Sequence, residues 1–203
     1  MNMVCLDLEG VLIPEIWITF ADAVGIPELR RTTRDEPDYD KLMRFRLDIL
    51  KKNNLKLLDI QRVISGMEPL PGALEFANTL REKTQLVMLS DTFEQFAKPL
   101  MKKLSWPVLF CNSLVINGDG TVTDYSLRQQ NGKKEAVRAF KAMNMRIFAA
   151  GDSFNDLTMI READCGCLFR APQAIREDYS DLKCFDTFDA LLAEIEEFLH
   201  IKI

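Results

Sequence analysis

The chain has 203 residues, 47% of them apolar, and its 26 basic and 31 acidic side chains give a net charge of −5. This composition predicts a globular protein with a packed core, either one domain or a core with a small inserted module. The acidic balance argues against a nucleic-acid partner bound through a broad basic surface.

The sequence contains no signal-peptide pattern and no apolar run of about 18 to 20 residues. We therefore expect a cytoplasmic protein without a membrane partner. His200 is the only histidine and is expected at an exposed helix end, which excludes serine–histidine–acid triads and histidine-rich metal sites.

The five cysteines are odd in number and include no C-x-x-C pair, so a disulfide framework or a zinc site is not expected. We interpret them as small buried apolar residues. None has an arginine six positions downstream, which excludes a cysteine-dependent phosphatase loop. They are Cys5, Cys111, Cys165, Cys167 and Cys184.

Apolar runs of strand length alternate with helical patterns along most of the chain. The predicted strands are 3–6, 86–89, 108–110, 146–150 and 165–169. The predicted helices include 93–104, 134–143, 155–162 and 188–199. This alternation predicts an α/β fold with a Rossmann-like parallel sheet covered on both faces.

Two segments interrupt this pattern. Residues 14–70 show apolar side chains at helical spacing and no strand signal, which predicts a small helical cap inserted after the first strand. The predicted catalytic core is then 1–13 with 71–203. Because ligands of α/β proteins bind beyond the carboxyl ends of the strands, the cap is placed to cover a ligand there. Residues 114–127 predict a β-hairpin that turns at 117–120.

Acidic residues follow two of the predicted strands. Asp7 and Glu9 come directly after the first, and Asp152 and Asp156 follow the predicted strand 146–150 and Gly151. Helix capping would explain one of these acids but hardly all of them. Because parallel strands end at the same edge of a sheet, the four carboxylates are expected to converge, and an oxygen-only site favours Mg²⁺.

Three further polar residues indicate a functional site only in combination with these acids. Ser90 and Asp91 end another apolar strand ahead of a predicted helix, where N–H groups can receive phosphate oxygens. Lys133 lies at a predicted helix start. Taken singly, each is typical of a helix cap or a solvated surface.

Together these motifs resemble the haloacid dehalogenase superfamily, whose pattern is Asp-x-Asp, a Ser or Thr, a Lys, and Gly-Asp-x-x-x-Asp in that order. The helical insertion resembles that of phosphoserine phosphatases. A closer similarity, to bifunctional phosphoserine phosphatases that are also phosphoserine:homoserine phosphotransferases, includes Glu9 in place of the second Asp. It rests on segments 6–12, 14–17, 32–35, 37–40, 89–93 and 127–129.

The resemblance implies roles around a magnesium ion. Asp7 would be the nucleophile and a metal ligand, and Asp152 would be another ligand. Glu9 would be the general acid and base, with its backbone carbonyl on the metal. Asp156 would contact these ligands rather than the metal itself.

The resemblance also implies a small phosphomonoester, L-phosphoserine, as substrate and homoserine as a possible acceptor. In the cap, Glu15 would bind the substrate amine and Arg46 its carboxylate. The phosphoryl group or the serine moiety would be held by Ser90, the backbone at Asp91, Lys133 and Asn155.

Three other interpretations remain at this point. A receiver-like regulatory domain also gathers acids, a hydroxyl and a lysine around Mg²⁺, but receivers are shorter and have no helical cap. A non-catalytic homologue that binds phospho-ligands is another, and a phosphatase for a different small amine-bearing phosphomonoester is a third. The sequence leaves open the oligomeric state, the extent of cap motion and the balance between hydrolysis and transfer.

Overall fold

A seven-stranded sheet forms the centre of the computed structural model, which describes residues 1–33 and 35–200. Its order is β4-β3-β2-β1-β5-β6-β7, and every neighbouring pair is parallel except β3 and β4. The strands are β1 (Asn2–Leu6), β2 (Gln85–Phe93), β3 (Val108–Ile116), β4 (Val122–Ser126), β5 (Arg146–Gly151), β6 (Cys165–Phe169) and β7 (Cys184–Phe185). This arrangement confirms the predicted Rossmann-like α/β fold.

Helices cover both faces of the sheet, and the alternation of side chains along β1 shows how. Val4 and Leu6 belong to one buried apolar cluster, whereas Met3 and Cys5 belong to another on the opposite face. The helices outside the insertion are α4 (Ala73–Lys83), α5 (Glu94–Met101), α6 (Gly132–Ala142), α7 (Leu157–Glu162), α8 (Gln173–Asp178) and α9 (Phe188–His200). A parallel sheet buried on both faces needs such apolar strands.

The segment between β1 and β2 is helical, as its apolar spacing predicts. It contains α1 (Ile16–Val24), a short 3-10 helix (Pro27–Arg30), α2 (Tyr39–Lys52) and α3 (Leu57–Gly66). Helix α2 contacts the β3–β4 hairpin, where Arg44 lies 2.8 Å from Asp124. The aromatic rings of Tyr39 and Tyr125 also pack there, with centroids 5.7 Å apart. The division into a core and a separate cap domain stays a prediction.

Several element boundaries differ from the sequence prediction. Strand β3 runs without a break into the hairpin, whereas the pattern predicted a strand ending at residue 110 and a separate hairpin. Strand β2 continues past Leu89 to Phe93, because Phe93 pairs with Asn112 after an irregularity in the ladder. Helix α5 is shorter than predicted and ends at Met101.

The prediction of uniformly buried cysteines is correct for Cys5 and Cys167 only. The other three are half-buried. Cys184 lies on the two-residue edge strand β7, and Cys165 begins β6, which pairs with it. An edge strand has a neighbouring strand on one side only, so residues near it are less completely buried. His200 is exposed at the end of α9, as predicted. Within residues 1–33 and 35–200, no helix is long and apolar enough to cross a membrane.

Candidate active site

Three buried aspartates meet where β1 and β5 end. The two strands are paired up to Leu6 and Ala150, and the Asp7 N–H donates to the Ala150 carbonyl at 3.0 Å. Asp7, Asp152 and Asp156 each present a carboxylate oxygen, and these oxygens lie within 4.8 Å of one another. The predicted convergence at one sheet edge therefore occurs for these three acids.

The carboxylate of the fourth acid, Glu9, is not part of this cluster. One of its oxygens accepts a hydrogen bond from the Ile16 N–H at 2.9 Å, at the start of α1. Glu9 nevertheless lines the same cavity as the cluster. Burial raises the pKa of its carboxyl, although the Ile16 N–H and the Thr92 hydroxyl act in the opposite direction.

Two glycines permit this close packing of acids. Gly10 has φ +74°, and a Cβ there would lie 2.4 Å from a carboxylate oxygen of Asp152. At Gly151, a Cβ would lie 2.2 Å from the carboxylate carbon of Asp156. Any side chain at either position would displace the aspartate beside it.

Both oxygens of the Asp156 carboxylate accept hydrogen bonds from protein groups. Its Oδ2 accepts hydrogen bonds from the backbone N–H groups of Asp152 and Ser153, both at 3.0 Å. Its Oδ1 accepts one from Lys133 Nζ at 2.6 Å. Asp156 is therefore placed to orient the turn that carries Asp152.

Lys133 enters the cluster from the first turn of α6. Its Nζ lies 3.0 Å from Asp7, 2.6 Å from Asp156 and 3.6 Å from Asp91. Burial by itself would lower the pKa of Lys133, but Asp156 and Asp7 raise it well above its usual value, so the side chain stays charged.

The site has too little positive charge for its acids. Burial and then Asp156 raise the pKa of Asp7 well above its usual value, and Lys133 offsets this only in part. One lysine faces the carboxylates of Asp7, Asp156 and Asp91, and Asp152 adds to the repulsion. A buried, oxygen-only cluster that needs more positive charge fits a hard divalent cation such as Mg²⁺.

The end of β2 supplies the next wall. Ser90 accepts a hydrogen bond from the Thr92 N–H at 3.2 Å, which leaves its own hydroxyl proton available to a ligand. The backbone carbonyl of Asp91 accepts from the hydroxyl of Tyr39 and from the side chain of Asn112, both at 3.1 Å. The Asp91 carboxylate accepts from Asn155 Nδ2 at 2.6 Å. Sequence reasoning assigned only the backbone of Asp91, so this side chain is an addition.

The helical insertion between β1 and β2 supplies another wall through Arg46 on α2. Its side chain is buried, donates to the Arg31 carbonyl at 2.8 Å and lies 4.6 Å from the centre of the Trp17 ring. Burial lowers the pKa of this guanidinium to about 10. Its Nε has no hydrogen-bond partner, so one donor remains for a ligand.

A cavity of about 80 Å³ joins these walls. It is small and polar, which favours a small charged ligand. All the predicted site residues except Asp156 line it. Sequence reasoning assigned no role to six other lining residues. The approach of four of them depends on how the helical insertion docks: Trp17, Thr32, Thr33 and Tyr39. The other two, Thr92 and Ser153, lie at or just after the ends of β2 and β5. Arg34, part of one segment that carried the resemblance, lies outside the described residues.

Comparison with known families decides the class of this site. Residues 1–164 match the haloacid dehalogenase-like hydrolase family. The chain belongs to this family. Membership excludes the receiver-like regulatory domain and confirms the resemblance that the sequence motifs suggested.

Two relatives in this hydrolase family are similar over nearly the whole chain. A phosphoserine phosphatase of Pseudomonas syringae is 52% identical over 193 residues, which is 95% of this chain and 81% of the relative. Phosphoserine phosphatase ThrH of Pseudomonas aeruginosa is 50% identical over 194 residues, covering 96% of this chain and 95% of the relative.

Solved structures of the hydrolase family share the fold. A phosphoserine phosphatase in its apo form superposes with a TM-score of 0.77 at 23% identity and covers 99% of both chains. A phospho-aspartyl intermediate analogue of phosphoserine phosphatase superposes with a TM-score of 0.78 at 22% identity, over 97% of this chain and 98% of that one. At these identities the superpositions support the fold alone.

Proposed function

We propose that this chain is a magnesium-dependent phosphoserine phosphatase that acts through a phosphoaspartate at Asp7 and also transfers the phosphoryl group to homoserine. The observation that carries the proposal is one cavity lined both by the buried aspartates Asp7 and Asp152 and by the buried Arg46. The two relatives with about 50% identity, both named phosphoserine phosphatases, support the substrate.

At the phosphoryl end, a dianion approaching Asp7 meets like charge. Lys133, 3.0 Å from Asp7, is placed to offset this repulsion. Mg²⁺, held by the carboxylates of Asp7 and Asp152 and the backbone carbonyl of Glu9, would supply the remaining positive charge. Ser90, the backbone at Asp91 and Asn155 would hold the phosphoryl oxygens or the serine moiety, and Asp156 would orient Lys133 and Asp152.

The reaction then divides into two steps. A carboxylate oxygen of Asp7 bonds to phosphorus while the bond from phosphorus to the serine oxygen breaks, and the Glu9 carboxyl gives its proton to that oxygen. In the next step Glu9 takes a proton from water, the water oxygen bonds to phosphorus, and Asp7 is released. Burial of Glu9, which raises the pKa of its carboxyl, supports its role as the acid.

At the amino-acid end, the cavity offers one charge of each sign. Arg46 presents an unused donor there, and a guanidinium can bind a carboxylate through two parallel hydrogen bonds. Glu15 lines the same cavity and would bind the amine. These charges match a substrate that carries both an amine and a carboxylate.

Transfer to homoserine is supported by Glu9 in place of the aspartate of ordinary phosphoserine phosphatases. Adding homoserine to the enzyme with phosphoserine and Mg²⁺ is expected to produce phosphohomoserine at the expense of phosphate. If homoserine left phosphate release unchanged and no phosphohomoserine formed, the transfer activity would be contradicted. The phosphatase activity would then stand alone.

The assignment of Arg46 predicts a selective loss of activity. Arg46→Met is expected to lower kcat/KM for phosphoserine by about 10²- to 10³-fold, because truncating one partner of a buried charge pair costs about 2–5 kcal/mol. The kcat/KM for phosphoethanolamine, which lacks the carboxylate, should fall by no more than about threefold. Phosphate release from the two substrates measures this difference.

The control is Arg44→Met, an exposed arginine of the same helix that pairs with Asp124. This variant should keep the wild-type kcat/KM for both substrates. Equal losses for phosphoserine and phosphoethanolamine in Arg46→Met would contradict the assignment. A wild-type enzyme that prefers phosphoethanolamine would instead favour a phosphatase for another amine-bearing phosphomonoester.

A further inference from the structure

Among the described residues, only two buried side-chain polar atoms have no hydrogen-bond partner. They are Nε of Arg46 and the hydroxyl oxygen of Thr92, and both residues line the active-site cavity. A buried polar group left unpaired costs about 1–3 kcal/mol, so two in one cavity indicate a polar ligand there. The proposed substrate carboxylate accounts for Arg46, and nothing yet accounts for Thr92.

Thr92 lies near the end of β2 and is only 5% exposed. Its backbone N–H is already used, because it donates to the hydroxyl of Ser90 at 3.2 Å. Its own hydroxyl lies beside Glu9, close enough to lower the pKa of that carboxyl, yet the two make no hydrogen bond of ordinary geometry. The hydroxyl is thus a buried donor next to the proposed general acid and base.

The Glu9 carboxylate is anchored on its other side. Its Oε2 accepts from the Ile16 N–H at 2.9 Å, which leaves Oε1 for the proton exchanged with the substrate. The oxygen that exchanges this proton must therefore lie beside Oε1. Thr92 lines the same cavity as Glu9.

We propose that the hydroxyl of Thr92 binds the alcohol oxygen of the reaction, both the ester oxygen of the leaving serine and the attacking hydroxyl of an acceptor alcohol. This proposal rests on the proposed function and adds a specificity-determining residue to it. It gives the cavity a subsite for an alcohol oxygen, separate from the contacts to the phosphoryl group, the amine and the carboxylate.

In the transfer step, the acceptor oxygen accepts a hydrogen bond from the Thr92 hydroxyl and gives its proton to Glu9. The same oxygen bonds to phosphorus while the bond between phosphorus and the Asp7 oxygen breaks, so that Asp7 is regenerated as a carboxylate. The acceptor is tethered through its amine and carboxylate, and its oxygen can reach one position only. Water has no tether and can shift to other partners, so it depends less on Thr92.

The test compares Thr92→Val with Thr92→Ser. Valine keeps the shape of threonine and removes the hydroxyl, whereas serine keeps the hydroxyl and removes the methyl group. The phosphoenzyme formed from phosphoserine is offered labelled serine. Incorporation of label into phosphoserine, divided by phosphate release, gives the partition between alcohol and water. This ratio does not depend on how fast the phosphoenzyme forms.

We expect Thr92→Val to lower the partition ratio about 3- to 10-fold, as the loss of one hydrogen bond predicts. Thr92→Ser should keep the ratio within about twofold of the wild type. An unchanged ratio in a folded Thr92→Val enzyme would overturn the proposal. An equal fall in both variants would also overturn it, because the effect would then follow shape and not the hydroxyl.

A failure of the proposed substrate gives a different result. In that case the wild type itself would not release phosphate from phosphoserine. The same ratio would then be measured with p-nitrophenyl phosphate as donor and ethanolamine as the alcohol, because its amine keeps one of the two tethers. The expected order of the three enzymes stays the same.

Discussion

Replacing Asp7 by asparagine is expected to reduce phosphate release from phosphoserine by at least about 10⁴-fold, because an amide cannot form the covalent intermediate. The substitution should also weaken the response to Mg²⁺. A ligand at a hundredfold excess over its Kd stabilises a folded protein by about 2.7 kcal/mol, which is several degrees in Tm for a chain of this size. Thermal unfolding with and without Mg²⁺ measures this response.

The matched control is Asp48→Asn, which changes an exposed aspartate of α2. This variant should keep full activity and the full rise of Tm with Mg²⁺. If Asp7→Asn retained more than about one part in a hundred of the activity, Asp7 would not be the nucleophile. A rise of Tm with Mg²⁺ equal to that of the wild type would remove Asp7 from the metal site.

Replacing Lys133 by methionine is expected to damage stability and activity together. Its Nζ lies 2.6 Å from Asp156 and 3.0 Å from Asp7, and all three side chains are buried. Removing one partner of a buried ion pair costs about 3–5 kcal/mol, because the remaining charges stay buried without compensation. In the absence of Mg²⁺, Tm should fall by about 10 °C.

The neighbouring residue provides the control for Lys133. Lys134 is adjacent in sequence and about one third exposed, and it lies 4.0 Å from Glu162. Lys134→Met should change Tm by no more than about 2 °C, because partly exposed ion pairs contribute about 0–1 kcal/mol. Equal melting temperatures for the two methionine variants would contradict the electrostatic role assigned to Lys133.

The acid cluster could be predicted from the sequence because it depends on local features. Asp7 and Asp152 each follow a short apolar strand, and parallel strands carry their ends to the same edge. Gly10 and Gly151 then permit the close approach of the aspartates. None of these steps requires knowledge of how distant helices pack.

The cavity wall opposite the cluster could not be predicted in the same way. Tyr39 reaches the Asp91 carbonyl, and Trp17 packs on Arg46, only because the inserted helices dock over the sheet edge. Helical spacing gives the apolar face of each helix but neither its direction nor its partner. The role of the Arg46 side chain therefore came from family resemblance, and its burial from the structure.

The end of β2 shows a different limit. The pattern predicted a strand over 86–89, with Ser90 and Asp91 at its end directly ahead of a helix. The strand instead continues to Phe93. Its extension places the Asp91 carboxylate on Asn155 and lets Thr92 line the cavity, with its hydroxyl oxygen buried. Alternation along a strand gives the faces of its residues only when the end of the strand is known.

The most direct test of the central claim is to trap the phosphoenzyme. The wild-type protein is mixed with radiolabelled phosphoserine and Mg²⁺ and quenched in acid within one turnover, and the labelled peptide is then identified. We predict label on the peptide that carries Asp7, and none in Asp7→Asn. Phosphate released without any labelled protein, or label on a peptide that lacks Asp7, would contradict catalysis through a phosphoaspartate at this position.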